Sequence, residues 1–551
     1  MLVMDAIADI LKKEGLNTFF GYPTTPVIEA LVKAGMKPVL CRQERVGVDM
    51  ANGYARINRG KPFGVFAMQY GPGAENAFSG IASAYSDSSP VLLLPLGHRR
   101  EISQVQPSFR STRAMESVTR SAEELLLAEE TPNVMRRAIN QLRNGRVGPA
   151  LIELPFDMVG QEFDYSPDSY RPVRQTKSAG DTRDIDEAAA MLLSAKRPVI
   201  QAGQGVLYAD ATAALLELAE LADIPVFTTV EGKSAFPENH PLALGTAGMV
   251  QTGHGKQVID ESDVMFAIGT SLTRHFLVTR VFGVNEKRII HATNDARDLN
   301  KGYETEIGIL GDCELILRQL IEAVRDRLGA KPRQTGIRER IRTLKTDWLQ
   351  QWAHKLDSTE KPITPYHVIR EFSRVISADE AIVTHDSGSP RDQILPFYEA
   401  TLPHSYIGWG KSHALGTGMG LTIGAKHAAP EKFCVNFMGD AAFGMTGLDF
   451  ETSVRTGAPI CTVVLNNSTM AIEKAHMELS HSLHRTRDIG GNYANLGRDL
   501  GGWSERVEDP AQIGPAFERA REQNREGKAA LLEIITSEET DFSFRRTQMT
   551  R

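Results

Sequence analysis

The chain has 551 residues, of which 41% are hydrophobic and 24% are charged, and its formal net charge is −7 at pH 7. This composition is typical of a globular protein with several cores, because long chains divide into units of roughly 150 residues. A small negative charge spread along the chain argues against a nucleic-acid-binding surface. We therefore expect small molecules as partners.

The cysteines and the N-terminus bear on the cellular compartment. The four cysteines are scattered without a CxxC motif, so they indicate neither a zinc site nor a disulfide framework. The sequence MLVMDAIADILKKEG predicts an amphipathic helix and lacks the pattern of a signal peptide. No apolar run approaches the roughly 20 residues that span a bilayer. We expect a cytoplasmic protein with no membrane partner.

The first third of the chain alternates between predicted helices and apolar strands. Helices are predicted over 3–14, from Pro26, from Arg45 and after Gly73, between strands at NTFFGYP, PVLC, FGVFAM, PVLLLPLG and GPALIELPFDM. Strands joined through helices predict a parallel sheet. The segment SPDSYRPVRQTKSAGDTRD is polar and predicts a linker, which places the first domain at 1–170.

Two further series of the same kind follow. The second begins at RPVIQAGQGV and ends in a helix near 313–328, which predicts a central domain over 185–330. After a charged, partly helical connector, strands at EAIVTHD, SYIGWG, KFCVNFMGD, PICTVVLNN and AALLEIIT predict a third domain over 360–551. The predicted fold class is therefore α/β, with three doubly wound parallel-sheet domains. Ligands of such sheets bind beyond the carboxyl ends of the strands.

An acid and an amide stand at two such strand ends in the third series. Asp440 follows the strand CVNFM, and Asn467 follows the strand CTVVL 27 positions later. Carboxylate and amide oxygens suit Mg²⁺, and the small residues Ala441, Ala442 and Gly444 leave room for a phosphate at the backbone. The spacing alone fits a helix-capping Asp and a turn Asn equally well.

The longer pattern around these residues resembles a known motif. Gly-Asp, 26 intervening residues and the second Asn of Asn-Asn resemble the diphosphate-anchoring motif of thiamine diphosphate (ThDP) enzymes. RQERVGVDMANGYAR and QYGPGAENAFSGIASAYSDSSPVLLLPLG are similar to that family's cofactor-activating segment and pyrimidine-domain core. VGPALIELPFDM and FPENHPLALG look like the acetohydroxyacid (acetolactate) synthase group, whereas GDAAFGMTGLDFET is nearer to oxalyl-CoA decarboxylase and 2-hydroxyacyl-CoA lyase. The resemblance implies pyrimidine-binding, central and diphosphate-binding domains in this order.

The resemblance also implies which residues hold the cofactor. The implied residues of the diphosphate site are Asp440, Asn467 and the backbone carbonyl of Thr469 as ligands of Mg²⁺, Gly439, Ala441 and Ala442 as backbone donors, and Gly388 and Ser389 as further phosphate contacts. Leu415 matches the residue that wedges ThDP into a V shape, and the backbone carbonyl of His413 would accept from the pyrimidine amino group. A Leu before Gly is otherwise an ordinary core residue.

Glu44 aligns with the glutamate that activates the cofactor in this family. A buried carboxylate that shares a proton with a ring nitrogen promotes the tautomer that removes the thiazolium proton. Without the flanking motif, a Glu at a strand-to-helix junction is a first-turn helix residue. In either case the cofactor performs the carbanion chemistry, and the protein positions it.

The residues expected to choose the substrate depart from the better-known relatives. Thr25, in GYPTTP, stands where pyruvate decarboxylases have a catalytic Asp, and their His-His pair has no counterpart. The loop from Gly97 to Phe109 matches acetohydroxyacid synthases, but Arg110-Ser111 replaces the Gln-Glu that follows there. Arg110 is either an anchor for a carboxylate or phosphate of the acceptor, or a surface arginine.

Two further residues are candidates for proton transfer at the mouth of the site. Glu473, in MAIEK, matches a Glu that assists proton transfer in pyruvate and indolepyruvate decarboxylases, and its alternative is a surface acid at a helix start. His98 follows the strand VLLLPLG at the expected mouth, and its alternative is a hydrogen-bonded structural histidine.

The central domain and the tail give weaker patterns. The GQG at 203–205 is too short for a dinucleotide fingerprint, and ATND replaces the acidic strand end of many relatives, so the sequence does not support FAD. Relatives use this domain for FAD, for a CoA-associated nucleotide or for neither. The tail SEETDFSFRRTQMTR predicts disorder, with closure over a CoA-type substrate as the alternative.

The leading hypothesis is a ThDP- and Mg²⁺-dependent enzyme that decarboxylates a 2-oxo acid and then completes protonation or carboligation. Its site would combine the first domain of one subunit with the third domain of another, in a homodimer or homotetramer. A competing hypothesis is an oxalyl-CoA decarboxylase or 2-hydroxyacyl-CoA lyase acting on an acyl-CoA substrate. A non-catalytic cofactor-binding scaffold or regulatory subunit, and an NAD- or FAD-binding oxidoreductase built on the central domain, also stay open.

Overall fold

The computed structural model describes residues 1–274, 286–329 and 331–544. These residues form three six-stranded sheets, one in each third of the chain, and every strand pair within a sheet is parallel. Helices connect most successive strands. The predicted α/β fold with three doubly wound domains is confirmed.

The first sheet has the strand order β2-β1-β3-β4-β6-β5. Its strands are Thr18–Gly21 (β1), Lys37–Leu40 (β2), Gly64–Met68 (β3), Val91–Gly97 (β4), Ser121–Glu124 (β5) and Ala150–Pro155 (β6). The helices around it are Val3–Lys13 (α1), Val27–Lys33 (α2), Glu44–Ile57 (α3), Pro72–Ser86 (α4), Ser111–Met115 (α5) and Thr131–Arg143 (α6). The central strands β3, β4 and β6 are buried throughout, as continuous apolar runs in a parallel sheet predict.

The second sheet has the order β12-β11-β10-β7-β8-β9. Its strands are Pro198–Ala202 (β7), Val226–Thr228 (β8), Ala243–Thr246 (β9), Val264–Ile268 (β10), Arg288–Thr293 (β11) and Ile307–Leu310 (β12). Its helices are Thr182–Ser194 (α7), Gln204–Tyr208 (α8), Thr212–Ala222 (α9), Gly253–Glu261 (α10) and Cys313–Leu328 (α11). The connector predicted after it contains one long helix, Ile337–Leu356 (α12).

The third sheet has the order β14-β13-β15-β16-β18-β17. Its strands are Ala381–His385 (β13), Tyr406–Ile407 (β14), Phe433–Gly439 (β15), Cys461–Asn466 (β16), Trp503–Val507 (β17) and Ala530–Ile535 (β18). Its helices are Pro365–Val375 (α13), Ser389–Phe397 (α14), Thr417–Ala428 (α15), Asp440–Thr446 (α16), Phe450–Arg455 (α17), Glu478–His484 (α18), Tyr493–Asp499 (α19) and Ile513–Arg525 (α20).

Helix α3 of the first domain packs directly on helix α15 of the third domain. Glycines make the close approach possible: an added Cβ at Gly424 would lie 1.9 Å from the carbonyl oxygen of Met50, and one at Gly53 would lie 2.2 Å from that of Leu421. Side chains from both helices belong to one buried hydrophobic cluster. The two domains therefore share a core within a single chain.

The structure adds three strands that the sequence did not predict, β5, β9 and β17. Each lies at the edge of its sheet. Edge strands pair on one side only and keep polar residues, as SAEE and WSERV do, so they lack the apolar run that marks a buried strand. None of the helices among the described residues has the length and apolar character needed to cross a membrane.

The predicted disorder of the tail is wrong as far as residue 544. The Ser543 hydroxyl donates to the Gln251 carbonyl at 2.7 Å and accepts from the Trp348 indole N–H at 3.2 Å. Phe542 is buried as well. These contacts tie the segment to the central domain and to helix α12. Residues 545–551 lie outside the described part of the chain.

Candidate active site

A cavity of about 500 Å³, partly open to solvent, lies at the carboxyl edge of the third sheet. Nine residues that the sequence assigned to the cofactor line it: Gly388, Ser389, Leu415, Gly439, Asp440, Ala441, Ala442, Asn467 and Thr469. They come from the ends of β13, β15 and β16 and from the turn before α15. The structure therefore brings the predicted diphosphate site together in one place.

The positions of Asp440 and Asn467 follow from the sheet. Strands β15 and β16 are neighbours, and Gly439 pairs with Leu465 in their register. Asp440 begins helix α16 directly after β15, and Asn467 directly follows β16. Because parallel strands end at the same edge of a sheet, both side chains reach the same cavity.

Asp440 has one oxygen without a protein partner. Its side chain is buried, and Oδ1 accepts the Ala441 N–H at 2.8 Å, whereas Oδ2 has no hydrogen-bond partner within the described residues. Burial raises the pKa of Asp440 to about 6, against the lowering effect of nearby backbone N–H groups. Buried carboxylate oxygens normally find a partner, so an orphaned one beside a cavity is an appropriate ligand for a cation.

The loop after β16 is held by a hydrogen bond of its own and by one to the segment at Arg487. Asn467 Oδ1 accepts the Thr469 N–H at 3.1 Å, and the Met470 N–H donates to the Arg487 carbonyl at 2.9 Å. The Thr469 carbonyl, the third predicted metal ligand, accepts the Ala471 N–H at 2.9 Å. A carbonyl oxygen has two lone pairs, so this bond leaves one for a metal ion.

The donor set fits Mg²⁺ better than a softer metal. One carboxylate, one amide oxygen and one carbonyl oxygen suit a hard cation that keeps positions for water and phosphate oxygens. Across the described ranges no cluster of three or more His, Cys, Asp or Glu side chains is placed to hold a metal. The ligand roles of these residues remain predictions.

Glu44 lies at the carboxyl edge of the first sheet, four residues after β2. It is only 5% exposed, and the Asn76 side chain donates to its Oε2 at 3.3 Å. Burial raises the pKa of Glu44. Gly73 leaves room beside it, because an added Cβ there would lie 3.6 Å from Oε1. The environment is the one that a proton-exchanging carboxyl group needs.

Glu44 does not line the cavity of its own chain. Every lining residue of that cavity lies between Pro365 and Thr536. His413 also lies outside the lining, two residues before Leu415, and it is exposed. Glu44 and the predicted diphosphate residues thus lie at two different sheet edges of the same chain.

Two first-domain candidates have local partners. Thr25 is buried, and its hydroxyl accepts the Val27 N–H at 3.3 Å at the start of α2. The His98 ring follows β4 and lies 5.0 Å from the Tyr70 ring, measured between centroids. Tyr70 is 37% exposed, so this pair stands at the surface, where the sequence placed the mouth of the site.

Arg110 is engaged by neighbouring side chains. It donates to Gln104 Oε1 at 2.8 Å and to Glu124 Oε2 at 3.3 Å. Glu124 lies opposite Glu153 in the pairing of β5 with β6. Burial raises the pKa of Glu153, and Arg110 opposes that effect. The arginine therefore balances two adjacent acids, which favours a structural role over that of a free anion anchor.

Glu473 lies in a 3₁₀ turn, Ala471–His476, that precedes helix α18. Glu473 thus stands in the first turn of the helix after the predicted metal loop, and this helix is 3₁₀ rather than α. The preceding residue, Ile472, lines the cavity. Glu473 is partly exposed and stands beside the site.

A second cavity, of about 840 Å³, is lined by residues of all three domains, among them Arg146 of the first domain and Lys411 of the third. Gly205 of the GQG tripeptide and Thr270 line it at the ends of β7 and β10. Its basic side chains already have acidic partners: Arg146 contacts Asp298 at 2.7 Å, and Lys411 contacts Glu231 at 3.5 Å. FAD therefore remains unsupported.

Sequence reasoning missed several residues at the diphosphate cavity. Gln393, Met470 and Ile472 line it without any motif that would have marked them. Asp386 precedes the lining residue Ser387 without lining the cavity itself, and it follows the apolar run AIVTH much as Asp440 follows CVNFM. The same strand-end signal could have identified it.

Three family comparisons match the three domains in order. The N-terminal TPP binding domain of thiamine pyrophosphate enzymes matches residues 1–117, the central domain of these enzymes matches 185–320, and their C-terminal TPP binding domain matches 386–534. Thiamine pyrophosphate (TPP) is another name for ThDP.

Full-length relatives agree with this assignment. The probable acetolactate synthase large subunit of Methanocaldococcus jannaschii is 30% identical over 96% of this chain and 91% of its own length. The glyoxylate carboligase of Escherichia coli O157:H7 is 27% identical over 98% and 94%. The sulfoacetaldehyde acetyltransferase of Alcaligenes xylosoxydans xylosoxydans is 26% identical over 100% and 96%. On these matches and on the architecture described above, the chain belongs to the thiamine pyrophosphate enzymes.

Proposed function

We propose that the chain is a ThDP- and Mg²⁺-dependent enzyme that decarboxylates a 2-oxo acid. The fragment that remains is then either joined to an acceptor through a new C–C bond or protonated to give an aldehyde. The observation that carries the proposal is the buried, unpartnered Oδ2 of Asp440 beside Asn467 in the described part of the third domain. The likeness to an acetolactate synthase and a glyoxylate carboligase supports carboligation as the second half of the reaction.

The third domain would hold the cofactor through its diphosphate. Asp440, Asn467 and the carbonyl of Thr469 would bind Mg²⁺, and Gly388 and Ser389 would face the phosphates from the opposite side of the cavity. When bound, ThDP supplies a nucleophilic carbon that adds to the 2-oxo group and accepts the electron pair left by CO₂. The protein's own contribution is to hold this group in place and to exclude water.

Glu44 would transfer a proton to and from the cofactor. Because Asn76 already donates to Oε2, we assign Oε1 as the atom that exchanges a proton with the cofactor's ring nitrogen. A raised pKa keeps this carboxyl group closer to half-protonation at neutral pH, which is the condition for efficient general acid–base catalysis. Replacing Glu44 with Gln should lower turnover about 100-fold or more while Mg²⁺-dependent ThDP binding is retained. Unchanged turnover would remove this role.

We further propose that Glu44 of one subunit completes the cavity of another in a homodimer or homotetramer. The cavity and Glu44 lie at different sheet edges, and apolar side chains are exposed beside both. Met445 of helix α16 and Leu448, two residues after this helix, are 51% and 55% exposed, and Phe78 of α4 is 42% exposed. Burial of such side chains against a second copy would remove them from water.

Mixing two inactive variants tests this arrangement. Glu44→Gln and Asp440→Ala are each expected to lack activity. If each site takes Glu44 and Asp440 from different chains, a mixed dimer has one doubly altered site and one intact site. Since random mixing makes half of the dimers mixed, co-expression should restore about a quarter of wild-type activity. If both residues served one chain's own site, every site would carry one substitution, and no activity would return.

An acyl-CoA substrate is the second candidate. Ala441, the residue by which GDAAFGMTG resembles the CoA-dependent relatives, lines the diphosphate cavity. Incubation with oxalyl-CoA and a 2-hydroxyacyl-CoA, followed by product chromatography, separates this activity from that on free 2-oxo acids. A smaller accessory chain is a further partner to test, because some relatives are named large subunits. Cytoplasmic location also remains a prediction.

A further inference from the structure

The turn at residues 415–418, which we call the Leu415 turn, is held by a buried carboxylate that has no assigned role. Asp386 directly follows β13 and is fully buried. Its Oδ1 accepts the Ser387 N–H and the Gly416 N–H, both at 2.8 Å, and its Oδ2 accepts the Gly418 N–H at 3.0 Å. One carboxylate thus joins the Leu415 turn to the loop that continues into Gly388.

A second hydrogen bond holds the same turn and comes from helix α16, which begins at the predicted metal ligand Asp440. Thr446 is the last residue of α16, which begins at Asp440, and its hydroxyl donates to the Gly416 carbonyl at 3.0 Å. Gly416 has φ of +94°, and an added Cβ would lie 2.5 Å from the Thr446 methyl carbon. Only glycine fits this position, so the turn has one conformation against α16.

A further hydrogen bond to the turn comes from the first domain. The Arg45 guanidinium donates to the Leu415 carbonyl across the junction of α3 and α15. The Arg45 charge lowers the pKa values of Asp49 and Asp386, both of which burial raises. Neither oxygen of Asp49 has a hydrogen-bond partner among the residues that the structure describes. Arg45 therefore lies within electrostatic reach of two buried acids while it holds the turn.

We propose that Asp386 is a positioning residue that fixes the distance between the phosphate-facing loop at 387–389 and the Leu415 turn. This distance sets the shape of ThDP that the cavity accepts, because Leu415 and Gly388 line the same cavity. Hydrogen bonds from backbone N–H groups to a buried carboxylate are short and strong, so they hold the turn before the cofactor arrives. The inference rests on the proposed function, in which ThDP occupies this cavity.

Cofactor binding without substrate tests the role separately from turnover. ThDP is titrated at saturating Mg²⁺ while tryptophan fluorescence is recorded, since the Trp409 indole donates to the His385 carbonyl at 2.7 Å, next to Asp386. Asp386→Asn places an amide N–H₂ against a backbone N–H and should raise the ThDP dissociation constant about 10-fold or more. Thr446→Val should raise it about threefold to tenfold, and Thr446→Ser, which keeps the hydroxyl, should restore it.

Glu238→Gln is the matched control. Glu238 is also a buried carboxylate, but it pairs with Lys233 at 2.5 Å at the junction of the second and third domains. This change should lower the melting temperature of the protein without cofactor. It should leave the ThDP dissociation constant within about twofold of wild type, because it keeps every hydrogen bond that holds the Leu415 turn.

The outcomes separate this inference from the proposed function. A wild-type protein that binds no ThDP with Mg²⁺ would end the proposed function itself. If wild type binds ThDP and Asp386→Asn behaves like Glu238→Gln, with a lower melting temperature and an unchanged dissociation constant, Asp386 is only structural and the inference is overturned. If Asp386→Asn fails to fold, the Thr446 variants test the inference instead. Equal ThDP affinity for Thr446→Val and Thr446→Ser would then overturn the inference.

Discussion

Replacing Asp440 with Ala should stabilise the protein without cofactor and abolish the stabilisation that cofactor brings. Asp440 is 3% exposed, and its Oδ2 has no hydrogen-bond partner in the described part of the chain. Wild type therefore retains a buried carboxylate with one oxygen unpaired until a cation binds. The alanine variant lacks both that charge and the ligand.

The expected magnitude follows from the contacts. A buried charged oxygen without a partner costs about 3 kcal/mol. Alanine would lose the 2.8 Å bond from the Ala441 N–H to the charged Oδ1, worth about 1.5 kcal/mol, and an acid in the first turn of α16, worth about 0.5 kcal/mol. The balance is a stabilisation of about 1 kcal/mol. At ThDP concentrations about 100 times the dissociation constant, wild type should gain about 2.7 kcal/mol, which the variant should not gain.

Urea denaturation with and without ThDP and Mg²⁺ measures both effects, and the order of stability of the two proteins should reverse when cofactor is added. Asp449→Ala is the matched control. Asp449 is equally buried, but its Oδ1 accepts the Arg42 N–H and the Thr452 hydroxyl, both at 2.8 Å. The control keeps all three predicted metal ligands, so it should still gain stability from cofactor. The reasoning is refuted if Asp440→Ala is the less stable protein without cofactor, or if cofactor stabilises it as much as wild type.

Burial raises the pKa of Asp449 to about 6 from 3.8, so the folded protein loses stability as pH rises through this range. Asp449→Asn should avoid this loss and gain up to about 2 kcal/mol relative to wild type between about pH 4.5 and about pH 7.5, measured by urea denaturation at each pH. Lys233→Met leaves Glu238 buried without its cation and should lower the free energy of unfolding by about 3 to 5 kcal/mol, with part recovered in a double variant with Glu238→Gln; additive effects in this cycle would contradict the pairing. Gly424→Ala should separate α3 from α15 and lower the melting temperature sharply, because its Cβ would lie 1.9 Å from a carbonyl oxygen. The control Gly160→Ala should leave the melting temperature unchanged, because no atom lies within 4 Å of an added Cβ there.

The parts of the site that sequence reasoning found are local in the chain. Asp440 and Asn467 each follow a buried apolar run directly, so strand identity and strand order sufficed to place them at one edge. Glu44 was found through its flanking segment. The central strands were found for the same reason, because a buried parallel strand is a continuous apolar run.

The parts that it missed depend on contacts between distant residues. Arg45 and Leu415 are 370 positions apart, and nothing in either neighbourhood marks their hydrogen bond. The ion pair of Arg110 with Glu124 depends on β5, an edge strand whose polar residues conceal it. Asp386 carried a usable signal at the end of β13, but the two hydrogen bonds that it accepts from the Leu415 turn became visible only in the folded chain.

The most direct test of the proposed function is CO₂ release from a panel of 2-oxo acids, beginning with pyruvate, with and without ThDP and Mg²⁺. Wild type should release CO₂ from at least one of them only when both are present, and the second product should be either an aldehyde or a compound with a new C–C bond. Asp440→Ala should be inactive. A wild-type protein that binds ThDP and releases no CO₂ from any 2-oxo acid would contradict the proposal.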